Sequence, residues 1–583
     1  MTIVRSISAF VDHNPIYYSN GFINIEINMP IKLAGIIVLL LASTIAACGT
    51  QESNVDSGNR DGILHFGNGT EVQGLDPHVV TGVPENHLMY ALFEGLVNKN
   101  PYTLEVEPGV AESWTVSEDG RVYEFVFRET AKWSNGEPVT AKDFEWSWWR
   151  ALQPALGSQY VFMYFPIKNA EAFFREEIKD FSQVGIKALS DNILRIELAN
   201  PTPYFLQLID HYSMFAVHRA TIEAHGKASD SYTQWTRPEN FIGNGMFVLD
   251  EWSLNRHITV SRNENYWDID KVKLNGIKFY PIDSLTTEER MFRAGQLHRT
   301  ENIPIERIAW YRDNMPELLH IAAYNGTYFY RVNTRREPFG DVRVRRALAM
   351  TINRDLLIAS VLDGIVTPSY SITPPGILGY QPPTLFKYDP EGARALLVDA
   401  GFPNGNGFPK IELQFNTSDQ HRKIGVAIQQ MWKKELNIDI VLQNRDWKVY
   451  LDNESTANFD LSRAGWIGDY VDPNTFLDMW ITDGGVNRTG WGDPEFDRLM
   501  LIEAPKAAGR DARFAKFNAA ESLLMKNMPI LPIYTYSSKH LIHESVRGMP
   551  SNVMDHYNYK YMSLQAKPAE IAQKDEMQAE GGE

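Results

Sequence analysis

Hydrophobic and polar positions alternate along several short stretches of the chain and recur every three or four residues along others. RVYEFVFRE at 121–129 alternates, and SDNILRIEL at 190–198 and GMFVLDEW at 245–252 read in the same way. Such stretches predict strands with one buried face. ILHFGN from Ile63 alternates too, so ordered structure is expected to begin there. DVRVRRALAMTINRDLLIASVLDG opens on Asp341, a suitable N-cap, and ends at Gly364. It predicts a helix broken near Asn353. SDQHRKIGVAIQQMWKKELN has Ser418 or Asp419 as its cap and sets Ile424, Ala427, Ile428 and Met431 on one stripe. It leads into IDIVLQ at 438–443, a helix–strand unit of α/β type. No fixed-period repeat runs through the chain.

The longest apolar run lies near the start. KLAGIIVLLLASTIAAC at 32–48 has one lysine, an apolar stretch and then small residues up to Cys48. The apolar part is about 15 residues, short for a membrane span of ~20 and suited to a secretory signal. IAAC at 45–48 resembles a bacterial lipobox, in which the cysteine is diacylated and becomes the mature N-terminus. The expectation is a lipoprotein signal peptide at 29–47, beginning with MPIKLAGII, and a lipid anchor on Cys48. Residues 1–28 do not read as a signal charge region and are expected not to be translated. GTQESNVDSGNRDG after Cys48 is polar and small, so 48–60 is expected to be a flexible tether. The acidic end, 568–583, is expected to be a mobile tail.

Composition narrows the function. The 583 residues exceed one ordinary core, so two or three domains are expected. With 56 Lys+Arg against 73 Asp+Glu, the net charge of −17 argues against a nucleic-acid surface. A single cysteine excludes an intrachain disulfide, a cysteine-rich zinc site and a four-cysteine iron–sulfur cluster. No GxSxG elbow, HExxH pair or GxxxxGK[ST] loop is present. The 14 Trp, 26 Tyr and 29 Phe are material for core and for rigid pocket walls. An exported chain without a catalytic pattern fits binding better than catalysis.

RAGWIGDYVDP at 463–473 supplies candidate binding chemistry. Arg463 and Asp469 are six residues apart, so on a regular strand both side chains share a face, about 20 Å apart. Two readings are open. The charges clamp the carboxylate and ammonium of an extended peptide of three to five residues, which spans at most ~10–18 Å. Gly465 and Gly468 then let the guest approach, and Trp466 walls a side-chain pocket. Alternatively, the segment is an ordinary surface strand with two unrelated charges.

Neighbouring blocks weigh on that choice. EVQGLDPHVVTGVPENHLMYALFEGLV at 71–97 and VAESWTVSEDGRVYEFVFRETAKWSNGEPVTAKDFEWSWWRAL at 110–152 resemble the oligopeptide-binding proteins of peptide ABC importers, family 5 of the bacterial extracellular solute-binding proteins. NGMFVLDEW, NENYWD, EPFGDVRVRRAL, FNTSDQHRKI, FDLSRAGWIGDYVDPNTFL and MPILPIYTY match the same family in order, so the resemblance covers about 63–560. It implies an α/β bilobal periplasmic-binding-protein fold of the large class, with an extra domain inserted in the first lobe. Lobe I is then 60–93, 218–322 and 537–567, the inserted domain 94–217 and lobe II 323–536. It implies that Asp469 binds the peptide ammonium, that Arg463 takes the carboxylate of a shorter peptide and that His421 takes that of a longer one. Trp447 and Trp466 become pocket walls. Val83 lies on a segment whose backbone pairs with the ligand, and Gly465 and Ile467 add backbone bonds from the other lobe.

The family relation also implies a monomeric receptor in the periplasm or at the cell surface, lipid-anchored, with a permease and its ATPase subunits as partners. No cofactor, metal or nucleic acid is implied. A murein-peptide or dipeptide receptor of the same fold is the alternative, and an exported peptide hydrolase or chaperone the more distant one. Two departures stand out. Glu454 and Ser455 occupy positions where some relatives carry basic residues. The disulfide that some relatives bring to the position of Ile467 cannot form here.

Overall fold

The computed structural model describes residues 52–565. The stretches 1–28 and 29–47, Cys48 and the tail 568–583 lie outside the described residues. Three sheets organise the rest. Ile63–Gly67, Gly276–Tyr280, His257–Arg262 and Phe247–Ser253 form one, parallel at its first pair and antiparallel after it. Ala111–Val116, Val122–Phe127, Ile193–Glu197 and Ile186–Ser190 form a fully antiparallel sheet. The third has six strands, in the order Thr367–Pro368, Ile530–Leu541, Leu319–Val332, Leu461–Ile467, Ile411–Asn416 and Ile440–Arg445.

The alternating stretches form strands as expected. In Val122–Phe127 every second residue is buried, and Tyr123, Phe125 and Phe127 enter the core. Ile411–Asn416, the helix Asp419–Leu436 and Ile440–Arg445 form a parallel crossover unit. Ser418 caps that helix by accepting from the His421 N–H. Its buried stripe runs through Ile424, Ile428, Trp432 and Leu436, while Ala427 and Met431 sit at its half-buried margin. The stripe is rotated because Trp432, the largest side chain on the helix, takes the centre of the face. The helix from Val342 breaks as expected: Asn353 caps a second helix, Arg354–Val361, by accepting from Leu356 N–H at 3.0 Å. That second helix stops at Val361, three residues before Gly364.

One difference lies at the start. Within the stretch expected to be a tether, Asn54–Asp61 forms a helix, capped by Ser53 and closed by Gly62 in the left-handed conformation. The cause is tertiary. Val55 is buried, and Gly58 packs so closely that a Cβ there would lie 2.5 Å from the Ile63 carbonyl and 2.7 Å from the His298 ring. A polar composition predicted no such burial. The aromatic residues mostly build core, with Trp133, Trp148, Trp235, Trp432 and Trp480 fully buried. No described helix is long and apolar enough to cross a membrane.

The feature that positions the site is an incomplete strand pairing. Leu461–Ile467 pairs with Leu319–Val332 along its whole length, from Leu461↔Val332 to Ile467↔Gly326. On its other edge it meets Ile411–Asn416 only at Leu461 and Ser462. From Arg463 onward no strand of the described residues lies beside that outer edge.

Candidate functional site

Backbone groups of successive residues in a strand point to opposite edges. The Gly468 N–H donates inward, to the Asn325 carbonyl at 2.7 Å. The Arg463 carbonyl points outward and accepts from the Tyr450 hydroxyl at 2.6 Å. By parity, the N–H and C=O of Gly465 and Ile467 face outward too. A cavity of about 400 Å³ runs along this edge. Its lining includes all eight binding residues singled out from sequence: Val83, His421, Trp447, Arg463, Gly465, Trp466, Ile467 and Asp469. Tyr160, His211 and Tyr212 approach from the region of the antiparallel sheet.

Asp469 lies past the end of the strand, with its side chain 11% exposed. The Thr475 hydroxyl donates to Oδ2 at 3.3 Å. His211 Nε2 lies 3.4 Å from Oδ1. That histidine accepts from Ser213 N–H at Nδ1, which places its proton on Nε2, toward Asp469. Burial holds the His211 pKa down to about 3, so the ring is neutral. The nearby cation Lys99 is committed to Asp210 at 3.1 Å. Asp469 is therefore a buried carboxyl with no cation of the described residues paired to it. Burial pushes its pKa up to about 7, against the opposing pull of Thr475 and Lys99. A group in this state gains strongly from an incoming ammonium.

At the other end, the Arg463 guanidinium donates to Tyr536 Oη at 2.7 Å and Asn416 Oδ1 at 3.3 Å, and lies over the Tyr328 ring. No described carboxylate pairs with it. His421 sits beside it, with Nδ1 3.5 Å from the Tyr328 hydroxyl. Burial first, then Arg463 and Lys539, hold the His421 pKa well below its usual value. The open edge thus has an unpaired anion at one end and an unpaired cation at the other.

Three expectations change in detail. Gly465 and Gly468 are required by the protein's own packing. A Cβ at Gly465 would lie 2.4 Å from Tyr536 Oη, and one at Gly468 2.7 Å from Asn325 Nδ2. Gly465 therefore makes room for the tyrosine that holds Arg463. Val83, expected on a segment whose backbone pairs with the ligand, opens the helix Val83–Leu92, capped by the extended Gly82 and helped by a proline in the first turn. Its N–H is one that no helix carbonyl can reach. Trp466 lines the cavity, but it is nearly buried, and its indole N–H is held by the Thr475 carbonyl at 2.7 Å. Trp447 stacks on Tyr450 and reaches across to Gly82, where a Cβ would meet its ring at 3.2 Å.

Sequence reasoning missed His211, Tyr160, Tyr536, Arg331 and Arg488, all of which line the cavity. Four of their segments carry no pattern that marks a site, and Tyr536 ends the family block MPILPIYTY, which does not single it out. Glu454, noted only as a departure, pairs with both Arg331 and Arg488.

A family model described as "Bacterial extracellular solute-binding proteins, family 5 Middle" matches residues 105–488. The chain is 38% identical over 491 residues to the periplasmic murein peptide-binding protein MppA of Escherichia coli, covering 83% of this chain and 89% of MppA. It is 35% identical over 528 residues to the periplasmic oligopeptide-binding protein OppA of Salmonella typhimurium, covering 88% of this chain and 94% of that one. The solved E. coli MppA structure superposes with a TM-score of 0.82 at 36% identity, covering 86% of this chain and 98% of MppA. Haemophilus influenzae OppA in complex with RPPGFSPFR gives 0.82 at 31% identity, covering 86% and 99%. The unliganded open form of MppA, covering 86% and 97%, gives 0.59 at the same 36% identity, so the arrangement here departs from that open form.

Proposed function

The chain belongs to the bacterial extracellular solute-binding proteins of family 5, and from that membership we propose that it is the peptide-capturing component of an oligopeptide ABC importer. The observation that carries this reading is the open edge of Leu461–Ile467, with Asp469 at one end and Arg463 at the other, neither paired with an opposite fixed charge among the described residues. An extended peptide of about three to five residues satisfies all three features. Its backbone completes the sheet edge at Gly465 and Ile467, its ammonium meets Asp469 and its carboxylate meets Arg463 or His421. Trp447 and Trp466 wall its side chains, and Val83 offers a backbone contact from the opposite side.

The fold is the bilobal α/β architecture of the family. The division into lobe I (60–93, 218–322, 537–567), inserted domain (94–217) and lobe II (323–536) is part of the proposal. So is release of the peptide, unaltered, to a permease driven by ATPase subunits, by a monomer tethered through lipidated Cys48. One measurement tests capture and anchorage together: mass spectrometry of the protein extracted from its native membranes. The expected result is intact, mixed short peptides released on denaturation, and a diacylated Cys48 as first residue. Truncated products of added peptides point to a hydrolase instead, and an unmodified Cys48 removes the anchor.

Capture should also be coupled to a proton. The Asp469 carboxyl titrates near 7 when no cation faces it, and a bound ammonium lowers that value. Above about pH 7 the carboxylate is already charged and binding releases nothing. Below it each binding event expels a proton, so affinity falls as pH falls, approaching tenfold per unit. Calorimetry at pH 6 in buffers of different ionisation enthalpy should detect proton release with free-amine peptides and little with N-acetylated ones. A flat affinity profile from pH 5 to 8 would count against Asp469 as the ammonium anchor.

A further inference from the structure

The two faces of Leu461–Ile467 offer a ligand different chemistry. Arg463, Gly465 and Ile467 share one face, and Ser462, Ala464 and Trp466 the other, by alternation. In an antiparallel pair, residues directly opposite each other place their side chains on the same face. A peptide whose ammonium sits at Asp469 runs antiparallel to this strand. Its first and third residues then lie opposite Ile467 and Gly465, and its second lies opposite Trp466, on the Trp466 face.

That face holds an unbalanced charge cluster. Arg331 pairs across the sheet with Ser462, so it belongs to the Trp466 face. Its Nη1 and that of Arg488, the latter at 3.4 Å, both bond the same oxygen, Oε2 of Glu454. The remaining Nη2 of Arg488 bonds Gln159. Nη2 of Arg331 has no acceptor among the described residues, and Arg331 and Arg488 both line the cavity. The side chains are 5%, 9% and 0% exposed for Arg331, Arg488 and Glu454. Two guanidiniums share one carboxylate in a site nearly sealed from water, which leaves one positive charge without a partner. A buried, uncompensated cation is costly and is relieved by an arriving anion. The other cations lining the cavity are engaged or reserved: Lys99 is paired with Asp210, and Arg463 faces the opposite side.

Resting on the peptide-receptor reading, we propose that Arg331, Arg488 and Glu454 form a subsite for a carboxylate carried by the second residue of the bound peptide. Two sources present that group: the side chain of an α-linked acidic residue, and the free α-carboxylate of a γ-linked glutamate in a murein peptide. Trp466 beside the cluster packs on the aliphatic part of the residue, and the guanidinium excess takes its charge.

Calorimetry with Ala-Glu-Lys, Ala-Gln-Lys, Ala-Ala-Lys, Ala-Lys-Lys and the γ-linked murein tripeptide tests this. Ala-Glu-Lys, the murein tripeptide, or both should bind roughly 10- to 100-fold more tightly than Ala-Gln-Lys, and Ala-Lys-Lys should be the weakest. In Arg488→Met the preference for the carboxylate over Gln should shrink toward one. A gain confined to Ala-Glu-Lys or to the murein tripeptide identifies the source. If none of these peptides binds, the receptor reading itself fails. If Ala-Ala-Lys binds but neither carboxylate peptide exceeds Ala-Gln-Lys, only the subsite is lost. The wild-type comparison stands even if the variant does not fold. A preference that survives intact in a folded Arg488→Met, or tighter binding of Ala-Lys-Lys, overturns the assignment.

Discussion

Asp469→Asn should weaken binding of free-amine tripeptides by about two to three decades. Removing one member of a buried ion pair typically costs ~3–5 kcal/mol, because the other charge stays buried and unpaired, and ~1.4 kcal/mol is tenfold. The site leaves no substitute. His211 is held neutral by burial, and Lys99 belongs to Asp210. An asparagine keeps the shape and an acceptor oxygen but loses the charge. N-acetylated peptides, which bring no ammonium, should bind poorly to the native protein and lose much less in the variant. Calorimetry of both peptides against both proteins forms a double-mutant comparison. Equal losses for acetylated and free peptides would falsify the role given to Asp469.

The second large effect is a dependence on peptide length. Arg463 reaches the cavity with its donors on Tyr536 and Asn416 and no carboxylate of the described residues paired with it. His421 stands beside it, held neutral by burial and by the neighbouring cations Arg463 and Lys539. As a peptide grows, its carboxylate moves along the cleft from one to the other. Arg463→Ala should therefore weaken tripeptides by about a hundredfold or more, the scale of truncating a buried charged partner, and tetrapeptides less. His421→Ala should do the reverse and more weakly, about tenfold, because the native group is a neutral donor rather than a fixed cation. Affinities of Ala₃ and Ala₄ for the two variants check it. Equal losses for both lengths in both variants would leave the ammonium end intact and remove the length-reading role.

The two variants also test what sequence can reveal. The spacing of Arg463 and Asp469 was legible, since alternation along a strand is a local property. That neither has an oppositely charged partner among the described residues was not. It depends on Asp210 taking Lys99, and on tyrosines rather than carboxylates meeting Arg463. The glycines show the same limit. Gly465 and Gly468 read as room for a guest, whereas Tyr536 and Asn325 occupy the space a Cβ would need. The cluster of Arg331, Glu454 and Arg488 joins residues 123 and 34 positions apart, in segments with no common pattern.

What the chain determined by itself is what local periodicity and capping encode. This covers the alternating strands, the break at Asn353, the Ser418-capped crossover helix and the ordered blocks that carry family membership. The tertiary structure decided the rest. It folded the polar stretch 54–61 into a helix because Val55 and Gly58 found a surface to bury against. It opened one edge of Leu461–Ile467 by letting Ile411–Asn416 diverge after Ser462. It also set which charges are paired, and with them the raised pKa of Asp469. The physical reason is common to all three: burial and ion pairing are set by groups distant in sequence, and no local pattern encodes which of them arrive.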